Sequence, residues 1–443
     1  MYYTGGNVMK KIAICTLGCK VNTYESEAVK KQFEEQGFIC VDFADVADVY
    51  IINTCTVTHL GDRKSRQMIR RTKQQNPESV LIVMGCYAQV APLDVKKIKE
   101  VDIILGTDKK SQVYSYYEEF IKTKSKFSLV EDISKKCEFE ELDVTSYEGR
   151  TRAFLKVQDG CNNFCSYCII PYARGRIRSR SLKSSLSEAQ RLANHGFSEI
   201  VLVGIHLASY GRDTEESLID LLKGLNEIEG IERIRMGSLE PTLFDDGFTE
   251  QIAKLPKICR HFHLSLQSGC DETLKRMNRK YVTCDYRMSV DRIRKAFPDA
   301  AITTDIMVGF PGETDEEFEK NLAFAKEIAF AEAHIFKYSI RKGTMAEKMP
   351  NQIEPSVKEE RSKKLIDVTN KTKDDFLKSH IGKEVMVLFE REHKGRRGIY
   401  EGKTDNYITV VAPCSKDVST QIIKVRIDEI NDGLAFGTVL EQE

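Results

Sequence analysis

The stretch AFLKVQDGCNNFCSYC, residues 153–168, decides how the rest of the chain is read. AFLKVQ has the character of a buried strand, and DGCNNFCSYC is a loop leaving its C-terminal end. Ligands in open α/β architectures bind at that edge of the sheet. Cys161, Cys165 and Cys168 therefore stand where a cofactor is expected. Three thiolates hold three irons of a 4Fe–4S cube and leave the fourth iron open, the property that separates reactive metal centres from closed structural ones. A structural zinc needs a fourth Cys or His, and the nearest later candidate, His195, falls on an expected helix well downstream.

Outward from this motif the strand–helix rhythm repeats. AFLKVQ, EIVLVG, ERIRMGS, HFHLSLQ, AITTDIMVG and AHIFKYS read as six strands, with helix-like segments such as SLSEAQRLANHG and DEEFEKNLAFAKEIA between them. Six such units make an open, partial barrel rather than a closed one of eight. Upstream, KIAIC, VYIINTC, VLIVMGC and VDIILGT alternate with helical stretches, TYESEAVKKQFEEQG closing at Gly37. This predicts a doubly wound parallel sheet. Downstream, residues 355–380 read as a Lys-rich helix, and EVMVLFERE, IYEGKT, YITVVAP, IIKVRIDEI and LAFGTVLE predict a small all-β barrel. The expected fold is thus α/β with three units: 9–125, 151–378 and 379–443, the weakly periodic, charged residues 126–150 being a linker.

With 443 residues, 41% hydrophobic and 30% charged, the composition fits a soluble protein of two or three domains. Net charge is zero, so only local patches can speak for a nucleic-acid partner. The apolar runs are too short for a transmembrane helix, and MYYTGGNVMKKIAIC is no secretory signal. A cytoplasmic setting follows, with neither membrane nor DNA as partner. Met9 offers an alternative start that leaves residues 1–8 as a disordered stub. Thirteen cysteines, an odd number, argue against a disulfide framework and for metal ligation by some of them. Cys15, Cys40, Cys137, Cys259, Cys270, Cys284 and Cys414 read as ordinary small residues.

Cys19, Cys55 and Cys86 are different. Each comes at or just past the end of an expected parallel strand, with spacings of 36 and 31 residues, about one βαβ unit each. Parallel strands point one way, so LGCKVN, NTCTVT and MGCYAQ converge on one rim, unless they are three unrelated buried thiols.

Two resemblances sharpen this reading. Cys161-x3-Cys165-x2-Cys168, with Tyr167 before the last cysteine, resembles the signature of the radical S-adenosylmethionine (SAM) superfamily, whose core is a similar partial barrel. TLGCKVN, INTCTVT and MGCYAQ resemble the three cysteine motifs of the methylthiotransferase family. That resemblance implies an auxiliary 4Fe–4S cluster on Cys19, Cys55 and Cys86, a second cluster binding SAM on Cys161, Cys165 and Cys168, and a C-terminal module similar to the RNA-binding TRAM domain. It further implies two stages: one SAM methylates a sulfur held at the auxiliary cluster, and a second yields a 5′-deoxyadenosyl radical that takes the hydrogen from C2 of an adenine. The opening TLGCKVNTYES is most similar to the branch acting on N6-threonylcarbamoyladenosine beside the tRNA anticodon. Branches acting on isopentenyladenosine or on a ribosomal-protein aspartate remain alternatives, as does a non-catalytic iron–sulfur RNA-binding protein. The family also implies a one-electron donor such as flavodoxin.

Around the barrel mouth, polar groups at strand ends are the candidates for SAM binding. Gly204 and Glu240 follow the second and third strands, Gln267 follows the fourth, and Asp305 lies within the fifth. Gly309, Pro311 and Gly312 shape a turn. His261 and His263 share a strand face, with no third ligand evident. For RNA, Arg174, Arg176, Arg178 and Arg180 alternate after the cluster loop and are expected to line one side of an extended segment. Arg63, Lys64, Arg66, Arg70, Arg71 and Lys73 form a second basic run on a helix. The tail, residues 379–443, carries nine Lys and Arg against eleven Asp and Glu, so any RNA contact there is local, through Lys394, Arg396 and Arg397.

Overall fold

The computed structural model describes residues 9–56, 59–144, 147 and 150–440, without the side chains of residues 59, 60, 62 and 63. The expected stub at residues 1–8 lies outside the described residues, as does the side chain of Arg63.

The N-terminal unit is a six-stranded parallel sheet. Its spatial order is Ile39–Val41, Lys11–Thr16, Val49–Thr54, Val80–Gly85, Ile103–Leu105 and Phe127–Leu129. Val49–Thr54 and Val80–Gly85 are buried throughout, as central strands of a sheet covered on both faces must be. The chain changes direction between Lys11–Thr16 and Val49–Thr54, so their C-terminal ends border the crevice where doubly wound sheets bind ligands.

Two three-residue strands, Ile39–Val41 and Phe127–Leu129, were not expected, and the second corrects the domain boundary. Phe127–Leu129 pairs with Ile103–Leu105, and Leu142, Val144 and Tyr147 pack with Tyr24, Leu192 and Phe197 in one apolar cluster. The described residues of 126–150 are thus no free linker; they complete the sheet and then pack it against the barrel. The first helix also starts earlier than its pattern suggests, at Lys20, with Cys19 as its N-cap.

The central unit holds the six expected strands in two parallel triplets. Arg152–Lys156, Glu199–Val203 and Arg233–Met236 form one; His261–His263, Ala301–Val308 and Glu332–Lys337 form the other. Two parallel bridges, Ile234 to Ile258 and Leu239 to Leu264, join them into a partial barrel. Alternate residues such as Leu155, Ile200, Leu202, Ile234 and Ile302 face the surrounding helices in the largest apolar core. Helix Pro355–Lys378 leads to a closed five-stranded barrel of Glu384–Glu392, Ile399–Thr404, Thr409–Pro413, Leu434–Val439 and Ile422–Asn431. Among the described residues no helix is long and apolar enough to cross a membrane.

Candidate active site

Strand Arg152–Lys156 runs into a two-residue strand, Gln158–Asp159, that pairs with Arg178–Ser179; the three-cysteine loop is folded between them. Gly160, at φ +72°, makes this possible, because a Cβ there would lie 1.8 Å from the Arg176 carbonyl oxygen. The Cys161 amide donates to Gly175 O (3.0 Å) and the Cys168 amide to Cys165 O (2.9 Å). Ser166 anchors the loop from both ends, its amide donating to Met277 O (3.0 Å) and its hydroxyl to Arg276 O (2.8 Å).

Glu240 enters this loop from the third strand. It accepts from Asn163 Nδ2 (3.0 Å), meets His206 Nε2 at 2.8 Å and pairs with Arg279 Nη2 at 3.1 Å. Burial pushes its carboxyl up, but His206, Arg279 and Asn163 outweigh that and hold it at about 2. Arg279 also donates to Cys165 Sγ (3.2 Å) and to the Tyr281 hydroxyl (3.0 Å). Gly204 packs on Gln158, whose Oε1 accepts the His206 amide at 2.7 Å. Gln267 and Asp305 lie on the opposite triplet, bound to each other through backbone (2.8 Å), with His263 Nε2 3.3 Å from the Asp305 carboxylate. Arg279 and Asn163 were missed at the sequence level. Asn163 stood inside the motif, whereas no periodic signal marked Arg279.

The second trio sits on one rim of the N-terminal sheet. Register places Thr16 beside Asn53 and Thr54 beside Gly85, so the ends that carry Cys19, Cys55 and Cys86 are neighbours. Gly18, at φ +104°, brings the first loop against the second, since a Cβ there would lie 2.8 Å from Cys55 Sγ. Asn22 Nδ2 staples the two, donating to Leu17 O (2.7 Å) and Thr54 O (3.1 Å). Cys19 is exposed and Cys86 buried, so the trio opens to one side.

The donor sets fit iron–sulfur clusters better than single ions. None of the thirteen cysteines is in a disulfide. Each trio offers three thiolates and no histidine or carboxylate, a donor set that suits a cube, which spreads its thiolates over separate irons. Burial pushes Cys161 and Cys86 up to about 11 and Cys168 to about 12. Nitrogen donors already face the sulfurs: the Asn163 amide at Cys161 (3.5 Å), Arg279 at Cys165, and Arg174 Nε at Cys86 (3.3 Å).

Arg174 corrects the expected RNA face. It is fully buried between the units, bonded to Asn22 Oδ1 (2.6 Å), Glu25 Oε2 (3.0 Å) and Asp159 Oδ2 (3.2 Å). Arg178 is buried on the carbonyls of Arg174 (2.9 Å) and Arg176 (3.0 Å), and Arg180 on Glu188 (2.5 Å) and Glu141 (2.9 Å). Their shared side faces the N-terminal unit and helix Leu182–Asn194, so only Arg176 of the four is exposed. On the helix after Cys55, Lys64, Arg70 and Arg71 are exposed, while Arg66 bonds the Tyr87 hydroxyl (3.1 Å) and Lys73 pairs with Asp102 (3.0 Å).

The family model described as uncharacterized protein family UPF0004 matches residues 11–106, and that of the Radical SAM superfamily matches residues 155–325. Across 95% of its length and 94% of the relative's, the chain is 42% identical to the threonylcarbamoyladenosine tRNA methylthiotransferase MtaB of Bacillus subtilis (strain 168). It is also 38% identical to a tRNA-2-methylthio-N(6)-dimethylallyladenosine synthase of Clostridium tetani (strain Massachusetts / E88), over 93% and 92% of the two chains. In fold it is similar to the radical SAM methyltransferase TsrM of Kitasatospora setae, with a TM-score of 0.55, 14% identity, and coverage of 74% of this chain and 73% of that one. Identity of this order along nearly the whole length, over a partial barrel with a three-cysteine loop at its mouth, places the protein among the radical SAM methylthiotransferases, enzymes that transfer methylthio groups.

Proposed function

We propose that the protein methylthiolates C2 of N6-threonylcarbamoyladenosine next to the anticodon of tRNA, giving the 2-methylthio derivative and consuming two SAM. In this reading Cys161, Cys165 and Cys168 hold one 4Fe–4S cluster and Cys19, Cys55 and Cys86 another. When bound, the first cluster supplies, with SAM, the means of activating an inert C–H bond, and the second supplies a place for the sulfur.

The chain's own residues hold the reactants. Glu240, kept ionised, accepts hydrogen bonds from the hydroxyls of a bound nucleoside, and Gly204, Gln267 and Asp305 complete the SAM site around the mouth. Arg279 carries positive charge to the Cys165 sulfur and to Glu240 at once. A small one-electron donor of the flavodoxin kind reduces the first cluster. RNA phosphates are met by the exposed cations Arg176, Lys64, Arg70 and Arg71, and by Lys394, Arg396 and Arg397 on the terminal barrel.

The observation that carries the reading is the placement of Arg174. Its side chain bonds Cys86 of one trio, while Gly175, the next residue, accepts the amide of Cys161 in the other. Mass spectrometry of tRNA nucleosides tests the substrate. A strain lacking the gene should lose 2-methylthio-N6-threonylcarbamoyladenosine and keep the isopentenyladenosine product; the opposite pattern refutes it. Iron per chain after anaerobic reconstitution tests the clusters: about eight supports two cubes and about four only one.

A further inference from the structure

A cavity of about 370 Å³ lies where the three units meet, between the first helix, the inner face of the first barrel triplet and the terminal barrel. Its walls carry five cations, among them Lys20, Arg150, Arg152 and Arg235, against one carboxylate, Glu390. Arg152 is satisfied by Glu390 (2.7 Å) and Arg235 by Glu199 (2.7 Å). Lys20 and Arg150 have no carboxylate partner among the described residues. Lys20 directly follows Cys19, and both are exposed. Opposite stands Tyr407, its ring 4.8 Å from the Arg235 guanidinium, 4.5 Å from Lys403 and stacked on His261 at 4.8 Å.

A half-open cavity of this volume suits a small polar group rather than a bulk interface. Its excess of cations asks for an anion, and one of them, Lys20, is the residue after Cys19. Of the two adenosine modifications acted on by the relatives named above, only threonylcarbamoyl carries a carboxylate; the isopentenyl arm is uncharged. We propose that this cavity receives the N6 substituent of the substrate adenosine, with Lys20 binding its threonyl carboxylate and so setting specificity. The proposal rests on the substrate reading above. An uncharged arm in the same place leaves Lys20 and Arg150 without an anion, which discriminates by charge as well as by shape.

The test uses reconstituted full-length enzyme and an anticodon stem-loop RNA carrying threonylcarbamoyladenosine, its methyl ester, or isopentenyladenosine. Wild type should show kcat/KM at least tenfold lower on the ester than on the free acid, the size expected for a charge-assisted hydrogen bond. Lys20→Met should lose about tenfold to a hundredfold on the acid, mainly in KM, with little change on the ester, and Lys20→Arg should restore most of it. Rates are normalised to iron content, and Arg150→Gln repeats the comparison if Lys20→Met loads poorly. Equal losses on acid and ester with a shallower salt dependence would mean that the cavity holds an RNA phosphate, and the proposal is overturned. Unchanged acid-to-ester ratios in both variants overturn it as well. If wild type acts only on the isopentenyladenosine RNA, the substrate reading itself fails, and this proposal with it.

Discussion

Glu25→Gln is the sharpest probe of how the two cysteine trios are held together. Glu25 belongs to the first helix, is fully buried, and meets Lys110 (3.4 Å) and Arg174 as well as Lys156 of the barrel (2.9 Å). Burial pushes its carboxyl up, but these cations bring it from the ordinary 4.5 down to about 2. A drop of that size corresponds to about 3 kcal/mol of stabilisation, and stranding buried charges by removing one partner costs roughly 3–5 kcal/mol. Because the folded value lies below the unfolded one, the contribution is complete above pH 4.5 and is lost as pH falls toward 2. Urea unfolding of the apoprotein at pH 7, compared with the same measurement nearer pH 3, reads both quantities. The variant should lose about 3 kcal/mol at neutral pH and show a flatter pH dependence than wild type across the acid range. Since Glu25 and Lys156 lie in different units, limited proteolysis should also cut the 126–150 segment faster. A loss below about 1 kcal/mol with an unchanged acid profile would refute the reasoning.

Cys19→Ala should keep SAM cleavage to 5′-deoxyadenosine while abolishing sulfur insertion; thiolated RNA from this variant would overturn its place in the auxiliary trio. Gly160→Ala forces a Cβ against the Arg176 carbonyl, so the cysteine loop should open at a cost of roughly 1–3 kcal/mol or more, seen as loss of about half the reconstituted iron. In Glu240→Gln, Arg279 loses its carboxylate partner, and SAM cleavage should fall about tenfold to a hundredfold. Wild-type rates in that variant would remove Glu240 from the site.

Long apolar runs made the central strands legible: each residue of Val49–Thr54 and Val80–Gly85 is buried, and composition alone announces that. Ile39–Val41 and Phe127–Leu129 were not legible, because three residues at a sheet edge carry too little pattern. Cysteine spacing foretold which loops would meet, since parallel strand ends share a rim whatever their side chains do. The arginines after the cluster loop show the limit of that kind of inference. Their proximity on one side was readable, but whether that side meets water depended on Glu25, Asp159 and Glu188, carboxylates placed there by tertiary contacts. Arg279 was invisible for the same reason, its partners Glu240 and Cys165 lying far away in sequence.

Replacing a whole buried polar junction by apolar packing can be neutral for stability even though removing one partner is costly, yet the polar junction here does what an apolar one could not. Apolar faces slide at little cost, whereas Arg174 has a fixed fork of donors satisfied by Asn22, Glu25, Asp159 and Cys86 together, and any shift of one unit on the other breaks several of these bonds. Gly175, immediately after it, carries the amide of Cys161. The route from one trio to the other is therefore a side chain, one peptide unit and a hydrogen bond, with no flexible segment in between. If sulfur and radical chemistry must meet at one adenine carbon, their separation has to be fixed more tightly than either domain's own packing requires. Specificity of docking, rather than free energy of folding, is the physical reason to bury an arginine at that position.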